Sequence, residues 1–491
     1  MAITGGSLLN SVPTAQKQAL SSNYLDFTGS TDTTWAQQYL PDLMDKEAEV
    51  FGNRTVSGFL NQVGAEEAMT SDQVVWSEQS RLHIAVKGTV VVAGSSNGTF
   101  EVTSDIDGNT SGFTLADHGV RTNDVVLIAS AGIVTQCLVV DADTAVIQVE
   151  PYDKADLTGH ATGAGASTLL VIGSEYAKGK SYNDGNFAAS DSRTANEPTF
   201  KSFSNKPIIM KDYYEVSGSD ASRIGWVEIS GEEGQSGYLW YLKAEADTRA
   251  RFTDYLEMSM VEAVKGSNST VVDTSLGAGS DAGVGTEGLF AAIESRGNVT
   301  SGVSGVNAAT DLAEFDAILA EFDNQGAIEE NMLFVNRATA LAIDDMLASM
   351  NSYGAGGTSY GVFDNDEDMA LNLGFSGFRR GSYDFYKSDW KYLNDKGARG
   401  GINAAATSAA IRGVIVPAGV SSVYDQQLGK NMKRPFLHVR YRASQTDNRK
   451  LKTWTTGSVG ASTSALDAMQ IHMLSERCLV TQGANNFMLM K

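Results

Sequence analysis

Apolar and polar residues alternate along this chain with a period that changes several times. From about Lys87 to Gly173 the period is two. Runs such as GTVVVAG, GTFEV, NDVVLIASAGIVTQCLVVDADTAVIQVEPY and STLLVIG are short, rich in β-branched residues, and bounded by Gly, Asn, Asp and Ser. Such side chains fit a pleated, half-buried surface. The stretch DVVLIASAGIVTQCLVVDADTAVIQVE predicts three consecutive strands, with tight turns near Ala131-Gly132 and Ala142-Asp143. The block, at about 87–173, reads as a small β-barrel or sandwich. It looks inserted, because the strand texture of SRLHIAVKG resumes at GSEYAKGKSYNDG.

Further on the period becomes helical. Tyr238 to Lys265 runs without Gly or Pro, enough for a helix of roughly 40 Å. Leu239, Leu242, Ala246, Ala250, Leu256, Met260 and Val264 form an apolar stripe near the 3.6 period. Glu245 with Arg249, and Asp247 with Arg251, are i,i+4 pairs in the favourable order. The charged middle leaves one narrow apolar face. The expectation is a brace lying on a sheet, with Leu242, Ala246 and Ala250 against it and Arg249 or Arg251 facing solvent or another subunit.

The remaining pattern is mixed. Residues 1–75 read as an arm, polar with scattered apolar anchors and one short helix after Pro41. FLNQVGAEEAMTSDQVVWSEQSRLHIAVKG reads as strand, acidic turn, strand, with Phe59, Leu60, Val74, Val75, Trp76 and Ile84 carrying the β signal. EPTFKSFSNKPIIMKDYYEVSGSDASRIGW is extended. EGLFAAIESRG is a short helix. TDLAEFDAILAEFDNQGAIEENMLFVNRATALAIDDMLASM reads as helix, buried strand, helix, an α/β layer. AAIRGVIVPAG and RPFLHVRYRAS are strands, and ALDAMQIHMLSERCLVTQGANNFMLM is a helix or turn entering a strand.

Composition narrows the function classes. The 491 residues are 42% hydrophobic and 20% charged, with 50 Gly and 7 Pro, as expected of a loop-rich globular chain. The net charge of -22 argues against nucleic-acid binding by general electrostatics. The N-terminal MAITGGSLLN shows no signal peptide, and no apolar run reaches bilayer length. Cys137 and Cys478 are too few and too far apart for a disulfide framework or a zinc cluster, and read as small buried hydrophobes.

Candidate chemistry is sparse. Gly283-Val-Gly285-Thr-Glu-Gly288 matches a dinucleotide fingerprint but follows a loop where that motif needs a strand, so it reads as a connector. Asp364, Asp366 and Asp368 alternate like the start of a calcium loop. Met369 and Phe375 stand where that loop needs Gly and Glu, which leaves a solvated acidic loop, with a weak cation site between subunits as the alternative. The five histidines have no metal-ligand spacing, and His472 reads as a core or interface residue. No catalytic, cofactor or metal site is expected. The clustered positive charge is Lys430, Lys433, Arg434, Arg440 and Arg442, with Arg449, Lys450 and Lys452 beyond. In an acidic chain it is either a solvated surface or a partner for acidic segments of neighbouring copies, such as Glu66-Glu67 or Asp364 to Asp368.

The order of parts resembles the major capsid proteins of tailed bacteriophages, a fold shared with encapsulins and herpesvirus shells. KPIIMKDYYEVSGSDASRIGW is similar to the segment entering that family's spine helix, and YLKAEADTRARFTDYLEMSMVEAVKGS resembles the spine helix itself. GTEGLFAAIESRGNV, LAEFDAILAEFDNQGAIEENMLFVNRATALAIDDML and ALDAMQIHMLSERCLVTQGANNFMLM resemble the pieces that follow. The likeness covers order and texture over about 80% of the chain, and the β-rich block departs from the minimal plan. The resemblance implies an α+β fold. Its parts would be an N-terminal arm (1–75), an extended loop region (76–215) carrying the β-domain, and a peripheral domain (216–300) with a spine helix at about 238–265. An axial α/β domain (301–435) and a return to the peripheral domain (436–491) would complete it.

It further implies a structural protein assembling as hexamers and pentamers into an icosahedral shell around double-stranded DNA. Portal, auxiliary or head-tail proteins would be partners. DNA would lie on the inner face without specific recognition, no membrane would be involved, and no catalysis or cofactor would be needed. The location would be the virion capsid, assembled in the host bacterial cytoplasm. Trp35, Phe59 and Trp76 would be anchors on adjacent copies, each aromatic burying roughly 150–250 Å². An encapsulin-like compartment, or a β-rich adhesin or tail-associated binding protein, are the alternatives.

Overall fold

The computed structural model describes residues 58–60, 65–79, 83–92, 98–106, 108, 110, 118–142, 144–180, 182, 200–218, 239–266, 270–277, 284–326, 328–351, 377–418, 420–425, 430–458 and 464–491. The chain divides into two units, Val75–Phe203 and Ser204–Lys491 together with the segment up to Val74. Among the described residues no helix is long and apolar enough to cross a membrane.

The first strands are β1 (Ala65–Met69) and β2 (Val74–Gln79). Glu66 and Glu67 therefore lie within a strand, where an acidic turn was expected. Phe59 and Leu60 belong to a helical turn, where a strand was expected.

Six strands then close a barrel: β3 (Ala85–Val92), β4 (Gly98–Asp105), β5 (Asp124–Ser130), β6 (Ile133–Asp141), β7 (Val146–Pro151) and β8 (Ser167–Ser174), in the order β3-β4-β7-β6-β5-β8. Closure follows from the period-two pattern. Val90, Phe100, Val126, Ile128, Cys137, Val139, Ile147, Val149 and Leu169 all point inward and form one core. The β5–β6 turn is Ala131-Gly132, with φ of 52° and 79°, the left-handed pair that matches hairpin twist. β9 (Phe200–Asn205) pairs with β2.

The larger unit continues with β10 (Ile208–Ser217), the long helix α1 (Leu239–Glu262), α2 (Thr270–Ser275), α3 (Leu289–Arg296), β11 (Asn298–Thr300), α4 (Ala308–Gln325), β12 (Glu330–Val335) and α5 (Arg337–Asn351). After these come β13 (Gly377–Arg380), β14 (Tyr383–Asp389), α6 (Lys391–Asn394), α7 (Arg399–Ala405) and β15 (Gly413–Pro417). The hairpin β16 (Val420–Asp425) and β17 (Lys430–Pro435) leads to β18 (Leu437–Arg442), β19 (Lys452–Gly457), β20 (Ala468–Thr481) and β21 (Met488–Met490).

Two sheets organise this unit. One runs β1-β18-β20-β10, with β19 also paired to β20. The other runs β11-β21-β15-β12-β14-β13. Phe315, Ile318 and Phe322 of α4 and Ile343, Met346 and Leu347 of α5 pack on Leu333, Val335, Phe385 and Ile415 of the second sheet. Asn307 caps α4 by accepting from Thr310 N at 2.9 Å, and Gly326 ends it in the left-handed conformation. Thus the segment from Leu312 to Leu347 packs by the same period that reveals it in the sequence.

Bends at Ser464 to Asp467 enter a 14-residue strand, Ala468–Thr481, as the expected turn leading into a strand; the strand is long because it pairs with β10, β18 and β19. At the chain end Met488 to Met490 pair with β11 and β15 in the second sheet. The helix ends at Glu262, not 265, and Val264 is 72% exposed.

The stripe of α1 also differs from the expected one. Phe252, Leu256 and Met260 are buried, at i, i+4 and i+8. Ala246 is exposed and Ala250 half-buried. The large ring of Phe252, with Met210 and Met473 against it, holds the helix, and the small side chains upstream add little apolar area. Leu239 and Leu242 lie in α1, but their side chains fall outside the described residues. Arg249 and Arg251 are both exposed.

Candidate functional site

The charged residues singled out in the sequence come together along β1, β18 and β20. β1 runs parallel to β18, which places Glu66 beside Val439, Glu67 beside Arg440 and Met69 beside Arg442. Arg440 Nη2 lies 2.8 Å from Glu67 Oε2. Lys450 pairs with Glu66, and its ammonium also sits 5.6 Å from the centroid of the Tyr441 ring. Arg442 Nε and Arg449 Nη1 flank Glu476 at 2.7 and 2.8 Å, while Arg442 also pairs with Asp72. The Glu476 contacts are close ion pairs and not aligned hydrogen bonds, since Oε2 of Glu476 and Nε of Arg442 have no hydrogen-bond partner of good geometry. Behind them Arg477 is 8% exposed and donates to Ser475 Oγ and Lys450 O, each at 2.9 Å. Burial pulls its guanidinium below the ordinary value, with Glu66 and Glu257 opposing.

The sequence left these charges as a solvated surface or as partners of neighbouring copies; within one chain Glu67 pairs with Arg440 and Glu66 with Lys450. Parallel registration of β1 on β18 satisfies them within one chain. Lys430, Lys433 and Arg434 lie in β17, opposite Asp425, Ser422 and Ser421, with their side chains outside the described residues, and Asp364, Asp366 and Asp368 lie outside them altogether. Trp35 does as well.

Two of the aromatic anchors, Phe59 and Trp76, pack within their own chain. Phe59 is 3% exposed within its own chain. Its ring stacks on Trp390 at 4.4 Å and meets the edge of Phe334 at 4.7 Å. Beside it, Glu257 of α1 accepts from Gly58 N at 2.7 Å and Leu60 N at 3.1 Å. A carboxylate and an aromatic pocket thus clamp this short segment onto the helix and the α/β core. Burial pushes the Glu257 carboxyl above its ordinary value, and the backbone donors pull against that. Trp76 is 7% exposed, near Phe203, and donates to Glu78 Oε1 at 3.0 Å. Both rings are already buried, so neither is offered whole to a neighbour.

The glycine motif has a packing role. Gly288 N donates to Ala263 O at 2.8 Å, and a Cβ on Gly288 would stand 2.8 Å from Ala263 N and 2.9 Å from Met260 O. The loop therefore rides directly on the end of α1. Asn205, fully buried, ties it in place. Its amide donates to Glu287 O at 3.0 Å and Leu479 O at 2.6 Å, and its oxygen accepts from Glu287 N at 2.8 Å and Thr286 Oγ1 at 3.1 Å. Sequence reasoning missed Asn205, Glu257, Phe252 and Glu476. Only Phe252 carried a signal, the i, i+4, i+8 series with Leu256 and Met260.

Nothing among the described residues groups three His, Cys, Asp or Glu side chains as a metal would need. Cys137 and Cys478 are fully buried, and burial pushes each thiol up to about 12, far from the reactive thiolate range. The arrangement holds strands and segments together.

No protein-family profile matches the chain, and no curated sequence matches it. Among solved structures it is similar to the capsid of cyanophage P-SCSP1u, at 7% identity and TM-score 0.39, over 95% of this chain and 98% of that one. It is similar to the mature capsid of bacteriophage PhiM1, at 9% identity and TM-score 0.40, over 97% and 98%. A virus-like particle from Pyrococcus furiosus matches at 9% identity and TM-score 0.28, over 59% of this chain and 79% of that one. Phage capsids, the resemblance drawn from the sequence, are thus among the structures this chain is similar to.

Proposed function

We propose that this chain is a structural protein that assembles, as hexamers and pentamers, into an icosahedral shell enclosing the double-stranded DNA of a tailed bacteriophage. The observation that carries the reading is the chain's own order of parts. A segment clamped by Phe59 and Glu257 precedes a strand pair interrupted by a barrel. A 24-residue helix follows, lying on a five-stranded sheet, and then a six-stranded α/β layer. This is the order that the resemblance implies. In this reading the barrel is a decoration of the extended loop, the shell lies in the virion after assembly in the bacterial cytoplasm, and portal or head-tail proteins complete it. The chain's work is to hold neighbours, with no catalysis assigned.

Negative-stain microscopy of the purified full chain tests it. Closed particles of uniform size are the expected result, and nuclease-protected DNA in particles from infected cells would set the reading apart from an enzyme-filled compartment. Monodisperse small globules at all concentrations would sink it.

A further inference from the structure

β10 is an edge of the five-stranded sheet. β20 pairs along one side of it, and among the described residues no strand pairs along the other. Its two faces differ. Met210 packs with Phe252 and Leu256, and Asp212 pairs with Arg251 at 3.1 Å, so α1 covers that face. Ile209, Lys211, Tyr213 and Glu215 alternate on the other face and are all exposed, Ile209 and Tyr213 by 55% each.

Tyr213 begins a row of rings. It stands opposite His472, which stands opposite Trp454 in the next ladder. The Tyr213 and His472 centroids are 5.9 Å apart at 27°, and those of His472 and Trp454 are 5.2 Å apart at 18°. Thr456 Oγ1 holds His472 Nε2 at 2.7 Å. The row crosses three strands and stops at the sheet edge. There the Tyr213 N–H is taken by the neighbouring carboxylate, Asp212 Oδ1 at 2.9 Å, and not by a strand. Among the described residues Lys211 has no ion-pair partner, and Glu215 accepts from a neutral donor, Gln470 Nε2 at 2.6 Å.

This face is complementary to itself when run antiparallel. With Tyr213 opposite the partner's Tyr213, Lys211 falls opposite the partner's Glu215, and Glu215 opposite the partner's Lys211. Opposite charges and aromatic pairs are the favoured cross-strand neighbours, and an open edge is a template for a further strand. We propose that β10 is a self-association edge: a second copy of this chain adds its own β10 antiparallel, about a two-fold axis at Tyr213. The interface is isologous, and it joins two three-ring rows into one. The inference goes beyond the shell reading and does not require it.

Charge reversal in the full chain tests the register. Lys211→Glu places two carboxylates opposite each other at both ends of the pairing, and Glu215→Lys places two ammoniums there. Each single variant, folded by circular dichroism, is expected to associate about tenfold more weakly or worse in sedimentation velocity. The double variant K211E/E215K restores opposite charges and is expected to recover. So is an equimolar mixture of the two singles, because every pair across the axis then attracts. Folded singles that associate like wild type, a mixture that stays dissociated, or a wild-type chain that is monomeric throughout would each overturn the proposal. Particles that form normally from K211E would overturn it while leaving the shell reading intact; two-fold pairs without particles would do the reverse.

Discussion

Single side chains decide how the arm segment is held and how the barrel responds to acid. Phe59 fills a pocket made by Trp390 and Phe334, so Phe59→Ala is expected to cost about 3–5 kcal/mol in urea unfolding, as for other buried aromatics. A buried histidine sets an acid limit on the barrel. His160 lies between Ser130 Oγ at 2.8 Å and Thr135 Oγ1 at 2.9 Å, and Lys154 Nζ donates to the same Thr135 oxygen at 2.9 Å. Burial, and then Lys154, hold its pKa below the ordinary 6.5. The unfolded chain therefore binds a proton more readily than the folded one, and stability is lost as pH falls below about 6.5. Corrected for the intrinsic pH dependence of exchange, the protection of barrel peptides in the full chain is expected to fall between about pH 7.5 and 5.5, and His160→Gln is expected to remove that part of the pH dependence. Neither role was legible in the sequence. Phe59 precedes a polar stretch that reads as β, and the helical turn appears only because Glu257 supplies acceptors from a helix far along the chain.

Elements were legible where one face is buried over many residues. The barrel strands alternate because a closed core demands it, and α4, β12 and α5 show their periods because each packs on one side. In α1 the apolar spacing and the buried face differ. The Ala246 and Ala250 positions have the spacing of a stripe but little apolar area, while Phe252 sets the true one. β20 was obscured because it is buried on most of its length, so its apolar run has no alternation to read. The glycine loop depends on close approach. Gly288→Ala places a methyl against Ala263 and Met260 backbone and is expected to cost about 1–3 kcal/mol, as overpacking does. Equal stability in thermal melts of the variant would refute that packing role.

At the scale of the molecule, the charged seam and the β10 edge are two solutions to the same problem of where a sheet stops. On one side, β1 closes the sheet with a parallel strand from an early part of the chain, tied by Glu66 and Glu67 to Lys450 and Arg440. On the other, β10 ends with charges and rings turned outward. The sequence offered these charges as possible partners, without showing that they pair within one chain, because long-range parallel pairing leaves no local signal. This matters for any assembly. Contacts satisfied inside the chain are present before any neighbour arrives, and among the described residues Lys211 and Glu215 are charges without an ion-pair partner in the chain.

The β2–β9 ladder carries a different kind of consequence. The barrel leaves the chain path and rejoins it at two paired strands, so its entrance and exit are side by side. That topology makes the barrel a candidate for exchange, as one would change the head of a tool while keeping the handle. Replacing residues 80–199 with a flexible linker of about ten residues is expected to leave the larger unit folded, with cooperative unfolding of its own by calorimetry. A remnant without a cooperative transition would show that the barrel is a structural member and not a fitting.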